Sequence, residues 1–450
     1  MNIPKSLLTL AQKFPVPLYV VGGAVRDFLL GIPGGDFDIA SSLSPAEVID
    51  FVSRLLPEYK IDPTSKKLGT LKIAYESDSF EYTCFRKDSY GSDGRHTPTD
   101  VEFIDSVELD SFRRDFTVNA IYYDIKNEEF IDYTGGVADL KSKTLRAVRE
   151  PDLVLNEDAL RILRMIRFAC SYDFKIEEKT YDSAKKNIDN LASIAPERIR
   201  DEFNKIILAD TVIGIPGAHV RGVRMITEIG AMKYIIPELL LGIGMTQRPD
   251  FHKYDVYNHI LAVFEASPPE IRLAALLHDI AKPIQMEKYG NMYGHDKEGG
   301  EIAQKVMSTL KYSTKEISFV KKLVENHMYD LNLAAKDSTI KKFIRKNEDI
   351  IPALIELKRA DRKGGGILQT ESESALRLKT IYEEMKASGV PFTTKELKVN
   401  GEDLIKLNIP PQNRSQALEA LLDRGAYDYS VHSRDEAMKF LCSFRENLKN

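Results

Sequence analysis

Tyr19-Val20-Val21-Gly22-Gly23-Ala24-Val25-Arg26-Asp27, followed shortly by Asp36-Phe37-Asp38, joins an apolar strand, a glycine turn, an arginine and two carboxylates flanking one apolar residue. A strand points alternate side chains to opposite faces, so Asp36 and Asp38 present both carboxylates on one side while Phe37 turns into the core. That pairing suits a hard cation. Mg²⁺ takes oxygen ligands, keeps several waters and is shared between one or two carboxylates and substrate phosphates. Gly22 and Gly23 lack the Cβ atoms that would hold a phosphate off the backbone, and Arg26 supplies a cation for it. The same residues would also serve as a solvated strand face beside an ordinary turn, so the remaining sequence has to decide.

With 450 residues and 43% hydrophobic content, the chain can build several cores and exceeds the size of one domain. Its formal net charge of −5 means that a nucleic-acid partner would be met by a local basic surface and not by global attraction. Cys84, Cys170 and Cys442 are widely spaced, which favours a reducing compartment over a disulfide scaffold. No apolar run approaches the ~20 residues that cross a bilayer, and residues 1–14 lack a signal pattern. The expectation is a cytoplasmic protein with no membrane association.

The character of the chain changes near residue 140. Before it, short strand-type runs at 18–21, 37–40, 70–75, 80–85, 101–104 and 120–124 alternate with helices. Between them residues 86–100 read as a polar, glycine-containing loop, too long for a tight hairpin. After it the pattern is helical, as at 158–170, 197–209, 301–307 and 317–327, with glycine and proline breaks at 214–217, 242–249 and 364–366. The fold class expected is therefore α+β, an α/β head followed by an all-α remainder.

Glu157-Asp158-Ala159-Leu160-Arg161-Ile162-Leu163-Arg164-Met165-Ile166-Arg167-Phe168 consists of strong helix formers. On a 3.6-residue period Asp158, Arg161, Arg164 and Arg167 fan across one side, and Ala159, Ile162, Leu163 and Ile166 take the other. One reading is an amphipathic helix with solvated arginines. The other concerns base recognition. Cytosine and adenine each present an amino donor beside a ring-nitrogen acceptor, which a carboxylate next to a guanidinium, such as Asp158 with Arg161, would complement while rejecting guanine and uracil. Nearby, Arg113-Arg114-Asp115-Phe116-Thr117-Val118-Asn119-Ala120 is a charged knot entering an apolar strand. Arg114 and Asp115 fit phosphate and ribose contacts, or equally an ion pair capping a turn.

Gly22 to Asp27, Asp36-Phe37-Asp38, Asp93-Gly94-Arg95-His96, Arg113 to Ala120 and Glu157 to Arg164 together resemble, in this order, the class II tRNA nucleotidyltransferases. These comprise the CCA-adding enzymes and the bacterial poly(A) polymerases. The resemblance covers the first ~210 residues closely. It implies that Asp36 and Asp38 hold Mg²⁺, with Glu81 as a third carboxylate. Gly23, Arg26, Arg114 and Asp115 would contact the nucleotide, and Asp158, Arg161, Arg164 and Arg167 would select CTP or ATP without a template. The partners implied are tRNA, ATP and CTP. The segment at 86–100, with Asp93, Arg95 and His96, would help exchange C for A specificity, and Lys398 to Leu404 looks like the tail of CCA-adding members.

A third constellation comprises His259, the contiguous His278-Asp279, and Asp361, with His295 and His327 between. Each alone fits a helix core. Together they suit a transition metal or Mg²⁺ that activates water against a phosphoester. The set resembles an HD phosphohydrolase domain, for which Mg²⁺, Mn²⁺, Ni²⁺ or another divalent ion is implied, with His295 and His327 as ligands of a second metal. The activities implied are 2′,3′-cyclic phosphodiesterase, 2′-nucleotidase or phosphatase. The domains expected are a nucleotidyltransferase head at 1–140, a helical neck at 141–250, an HD body at 251–365 and a tRNA-binding tail at 366–450. Lys341 to Lys346 and Lys358-Arg359 are candidate RNA tracks. Alternatives are an A-adding enzyme or poly(A) polymerase, an HD phosphohydrolase whose head only binds RNA, and a non-catalytic RNA-binding protein.

Overall fold

The apolar run ahead of the glycine turn forms β1 (Tyr19–Val21), which pairs antiparallel with β2 (Asp38–Ser41). β3 (Lys60–Asp62), β4 (Thr70–Tyr75) and β5 (Asp78–Cys84) follow, then β6 (Arg86–Ser89), β7 (Asp100–Phe103), β8 (Tyr122–Asp124) and β9 (Glu129–Ile131). Seven of them build one sheet in the order β3-β4-β5-β2-β1-β8-β9, in which only the β2 to β5 pairing is parallel. The computed structural model describes residues 1–34, 36–63, 69–89, 100–248, 253–366 and 371–448. Its two compact units are Met1–Pro237 and Glu238–Asn450.

β5 explains how the sheet acquires two different faces. Phe80, Tyr82 and Cys84 are buried, while the alternate residues Ser79 and Glu81 are exposed and Thr83 is half-buried, the period-two pattern of a half-buried strand. On the apolar face Phe14 packs edge-on against Phe51 at 5.2 Å and lies 6.2 Å from Tyr82. Phe51 belongs to helix Pro45–Leu55, which opens on a capping box between Ser44 and Glu47. The opposite face carries Glu81 beside Asp38 in the parallel register, with Lys72 of β4 next in the same row.

β6 and β7 form a separate antiparallel ribbon, so the stretch expected as a loop from 86 begins as a strand. Arg86-Lys87-Asp88-Ser89 carries no apolar residue to signal a strand, and only pairing with β7 defines it. Asp93, Arg95 and His96 lie outside the described residues. The strand expected at 120–124 is shorter, because Thr117–Asn119 forms a single 3₁₀ turn before β8. The helix expected from 158 starts later, as Leu160–Ser171, and Asp158 stands in an extended link after helix Pro151–Glu157, at φ −149° and ψ 101°.

The second unit is helical. Helix Val256–Ala266 packs on Ile351–Gly364, and His295–Thr309 packs on Thr314–Asn326. Gly364 permits the first contact, since a Cβ there would lie 2.7 Å from the Val263 backbone nitrogen. Toward the end of the chain Val399, Leu404, Leu421 and Leu441 belong to a further apolar cluster. Among the described residues no helix is long and apolar enough to cross a membrane.

Candidate active site and metal centre

In the first unit the β1 strand ends at Gly22, whose φ of +79° is the left-handed region that favours glycine. A Cβ there would stand at ordinary contact distance, 3.6 Å from Asp38 Oδ2 and 3.8 Å from Arg114 Nη1, so the left-handed backbone and not crowding calls for glycine, and both a carboxylate and a guanidinium border the turn. Asp36 is exposed just before β2, Phe37 is buried and Asp38 is exposed at its first position, which is the alternation read from the sequence. These two acids line a cavity of about 420 Å³ together with Asp62, Thr70, Lys72 and Glu81. Solvent reaches Asp38. The cleft walls nevertheless withhold enough water, and Glu81 and Asp36 add enough negative charge, to push its pKa up to about 6 despite Arg114 and Arg164. Crowded carboxylates of this kind fit a divalent cation, whose charge relieves their repulsion.

Asp115 is buried and clamped. Its Oδ1 accepts from the Phe116 amide at 2.7 Å and the Asn119 amide at 3.1 Å, and its Oδ2 from Arg164 Nε at 2.8 Å. Burial alone would raise its pKa, but the Arg164 charge and these hydrogen bonds hold it down to about 2. Of the two sequence readings for Asp115, the geometry displays an ion pair, and the partner is Arg164. Arg164 also neighbours Glu202, at 3.8 Å, and Arg167 meets the same Glu202 at 3.2 Å. Arg26 turns inward, donating to Asp27, Asn119 and Tyr172 at 2.9, 2.8 and 2.5 Å, with its guanidinium 4.1 Å over the Tyr172 ring. Gly23 follows the turn as the first residue of helix Gly23–Leu29.

The expected pairing of Asp158 with Arg161 is replaced by other partners. Asp158 Oδ2 accepts from Arg198 at 2.6 Å and Oδ1 from the Leu160 amide at 3.1 Å. Arg161, 8% exposed, donates to the carbonyls of Val154 at 2.9 Å and Arg113 at 2.7 Å and pairs with Glu157 at 3.2 Å. The physical reason is the break at Asp158. A three-residue step aligns side chains only within one continuous helix, and Asp158 precedes it. Glu157, Arg198 and Glu202 were not singled out from the sequence, although the four-residue spacing of Arg198 and Glu202 on helix Pro196–Ile207 is a readable one-face signal.

In the second unit His259, His278 and Asp361 form one group of converging ligand atoms, and Asp279, His295 and His327 a second. Asp279 faces both. Its Oδ2 lies 3.2 Å from His259 Nε2 and 3.2 Å from His278 Nε2, while Oδ1 lies 3.1 Å from His295 Nε2 and 3.5 Å from His327 Nε2. The four imidazoles place Nδ1 against a backbone carbonyl: Gly364, Ala275, Met292 and Val324 at 3.3, 2.8, 2.7 and 2.7 Å. A carbonyl only accepts, so Nδ1 carries a proton, and Nε2 of a neutral ring is left available to a cation. The Nε2 atoms approach in pairs, at 3.3 Å in the first group and 3.2 Å in the second, an arrangement that fits a cation; without one the Asp279 and Asp361 carboxylates, outweighing burial, raise the His259 pKa to about 9.

Around this cluster lies a cavity of about 1070 Å³, lined by Arg248, Lys282, Lys358 and Arg362 as well as the acids. Lys282 Nζ is 2.6 Å from Asp279 Oδ2, and its spacing three residues after Asp279 was a signal open to sequence reading. Lys358 is 2% exposed and donates to the His327 and Tyr329 carbonyls, and burial lowers its pKa to about 8. Of the pair Lys358-Arg359, Lys358 is thus inside, while Arg359 is half-exposed and pairs with Glu356 and Glu371. Within Lys341 to Lys346, Arg345 is likewise buried, pairing with Asp423 and Glu419, whereas Lys341 and Lys342 each lie 4.9 Å over a tyrosine ring, of Tyr429 and Tyr427.

Three family models match in chain order: the poly A polymerase head domain over residues 18–146, the "Probable RNA and SrmB- binding site of polymerase A" over 173–241, and the HD domain over 247–363. The chain therefore carries a poly A polymerase head domain followed by an HD domain. Among curated relatives, the CCA-adding enzyme of Ligilactobacillus salivarius is 42% identical, but over 42% of this chain and 45% of that protein. The chain thus spans about half the length of that relative. The CCA-adding enzyme of Staphylococcus epidermidis is 27% identical over 89% of this chain and 87% of its own length. An A-adding tRNA nucleotidyltransferase of Deinococcus radiodurans is 29% identical over 78% and 77%. The fold matches the Bacillus stearothermophilus CCA-adding enzyme in complex with CTP, at TM-score 0.67 and 23% identity over 100% of this chain and 99% of that one.

Proposed function

We propose that this chain adds CCA to the 3′ end of tRNA, using CTP and ATP without a nucleic-acid template and releasing pyrophosphate. The observation that carries the reading is the meeting of Asp36, Asp38 and Glu81 with the bare Gly22 turn and Arg114. Two magnesium ions held by the carboxylates would supply Lewis acidity at the attacking hydroxyl and at the triphosphate. The chain's own part is positioning. Arg114 faces the turn where phosphates would lie, Glu81 flanks Asp38 on the opposite side, and the buried Asp115 pair fixes Arg164 near the carboxylates. Asp158, Arg161, Arg164 and Arg167 are the side chains that would select cytosine and adenine, with Asp158 held by Arg198 and Arg161 by Glu157, and Arg26 braces the turn against Tyr172. The head, neck, HD body and tail divide at about residues 140, 250 and 365. Lys341 and Lys342 in the body and the tail would grip tRNA by shape and backbone. The reaction belongs in the cytoplasm.

The HD body hydrolyses a phosphoester. His259, His278 and Asp361, and Asp279, His295 and His327, would hold divalent ions that supply Lewis acidity to water and phosphoester, and Lys282 and Arg362 offer charge to the phosphate. A second reading of the head, addition of A alone, is favoured by the Deinococcus radiodurans relative. Incubation with tRNA lacking its last three nucleotides, and separately with tRNA ending in CC, separates the two. Two labelled C residues followed by one A support CCA addition, A on the CC substrate alone supports the second reading, and long A tails refute both.

A further inference from the structure

Asp110 lies in the short helix Val107–Phe112, outside every motif quoted above, and is fully buried. A buried carboxylate is costly unless its oxygens are met by donors. Here both are. Oδ1 accepts from the Arg86 amide at 3.1 Å and from Arg113 Nε at 2.6 Å. Oδ2 accepts from the Tyr122 hydroxyl and from Arg114 Nη2 at 3.4 Å. Tyr122 in turn accepts from Arg114 Nε at 2.8 Å and sits beneath its guanidinium at 5.1 Å. Two of the three nitrogens of Arg114 are thereby tied down, Nη1 is the one left beside the Gly22 turn, and the Asp38 charge acts on the guanidinium. The same carboxylate orients Arg113, whose carbonyl receives Arg161 at 2.7 Å, and anchors Arg86 at the root of the segment beginning at residue 86.

We propose that Asp110 and Tyr122 are positioning residues that aim Arg114 at the triphosphate of the incoming nucleotide, with the Asp110 carboxylate also fixing the carbonyl on which Arg161 rests. The inference rests on the nucleotide-binding reading of the head. A guanidinium held at two nitrogens and stacked on a ring meets phosphate without first losing rotamer freedom, whereas a loose one must be ordered by the ligand. Tyr122→Phe keeps the ring and its packing and removes only the hydroxyl relay. Asp110→Asn keeps the shape and removes the charge.

The test compares equilibrium binding of CTP and CMP to the full chain, alongside its elongation of tRNA. With the hydrogen bond to a charged group lost, Tyr122→Phe should bind CTP about tenfold more weakly and CMP within about twofold of wild type. Asp110→Asn should weaken CTP at least as much and also relax the preference for CTP over UTP, since Arg161 loses its support. A thermal midpoint of Tyr122→Phe within a few degrees of wild type identifies the loss as local. Wild-type CTP affinity in Tyr122→Phe, or an equal loss of CTP and CMP, overturns the aiming role. If wild-type protein elongates no RNA while Tyr122→Phe still loses CTP selectively, the aiming role stands and the proposed function falls.

Discussion

If the head binds Mg²⁺ as proposed, replacing Glu81 by glutamine should move the pH at which it does so, because, after burial, Glu81 is the largest contribution raising Asp38. A proton and Mg²⁺ compete for the Asp38 carboxylate. With its pKa pushed up to about 6, above the ordinary carboxylate range, the ionised fraction falls as pH drops through that value. The Mg²⁺ concentration giving half-maximal nucleotide incorporation should therefore be level above about pH 7 and rise about tenfold for each pH unit below about 6. Across the ~5 Å between neighbouring strands, one charge contributes about 0.8 kcal/mol in water-like surroundings and about 3 kcal/mol at an effective dielectric of about 20. The cleft is open, so the lower figure applies. It corresponds to a displacement of about 0.6 pH unit toward acid in Glu81→Gln. The assay is a magnesium titration at each half pH unit from 5 to 8, for both proteins. A half-maximal concentration that does not vary between pH 5 and 7, or a midpoint that Glu81→Gln leaves in place, refutes the reasoning.

Asp115→Asn should cost about 2 kcal/mol in urea unfolding at neutral pH, because it leaves Arg164 without its buried partner. Since the folded pKa of Asp115, about 2, lies below its ordinary value, that contribution is complete above about pH 4 and fades as pH falls toward 2, where the two proteins should converge. Arg198→Ala removes the guanidinium that holds Asp158 Oδ2, and the ratio of CTP to UTP incorporation should change severalfold with little effect on the unfolding midpoint. In the second unit, mass spectrometry after dialysis should find two tightly held divalent ions in the wild type, one in His295→Ala and none in Asp279→Asn.

Much of the head was legible because it depends on short-range periodicity. Asp36, Phe37 and Asp38 alternate as a strand edge must, and Thr70–Tyr75 was bounded correctly from its apolar alternation and glycine start. The six converging histidine and aspartate side chains were legible as residue types, since so many imidazoles and carboxylates within one helical half of a chain are uncommon. What Asp279 does was not, because its two oxygens face His259 and His295 on two helices and His278 and His327 at the ends of two others. The partners of Asp158 and Arg161 were equally out of reach. They come from Arg198 and from the Arg113 carbonyl, 40 and 48 residues away, and the extended residue at 158 breaks the period on which the expectation stood. Lys358 misled for a related reason, as a basic pair reads like surface until a carbonyl pair is found to accept from it inside.

The most direct test of the central claim is single-turnover extension of tRNA lacking its terminal trinucleotide by Asp38→Asn, run beside the wild type with CTP and ATP present. Wild-type product lengthened by three nucleotides ending in CCA, with extension lost in a variant of unchanged circular dichroism, is the predicted result. Extension by Asp38→Asn at the wild-type rate, or a wild type that adds nothing, would contradict it.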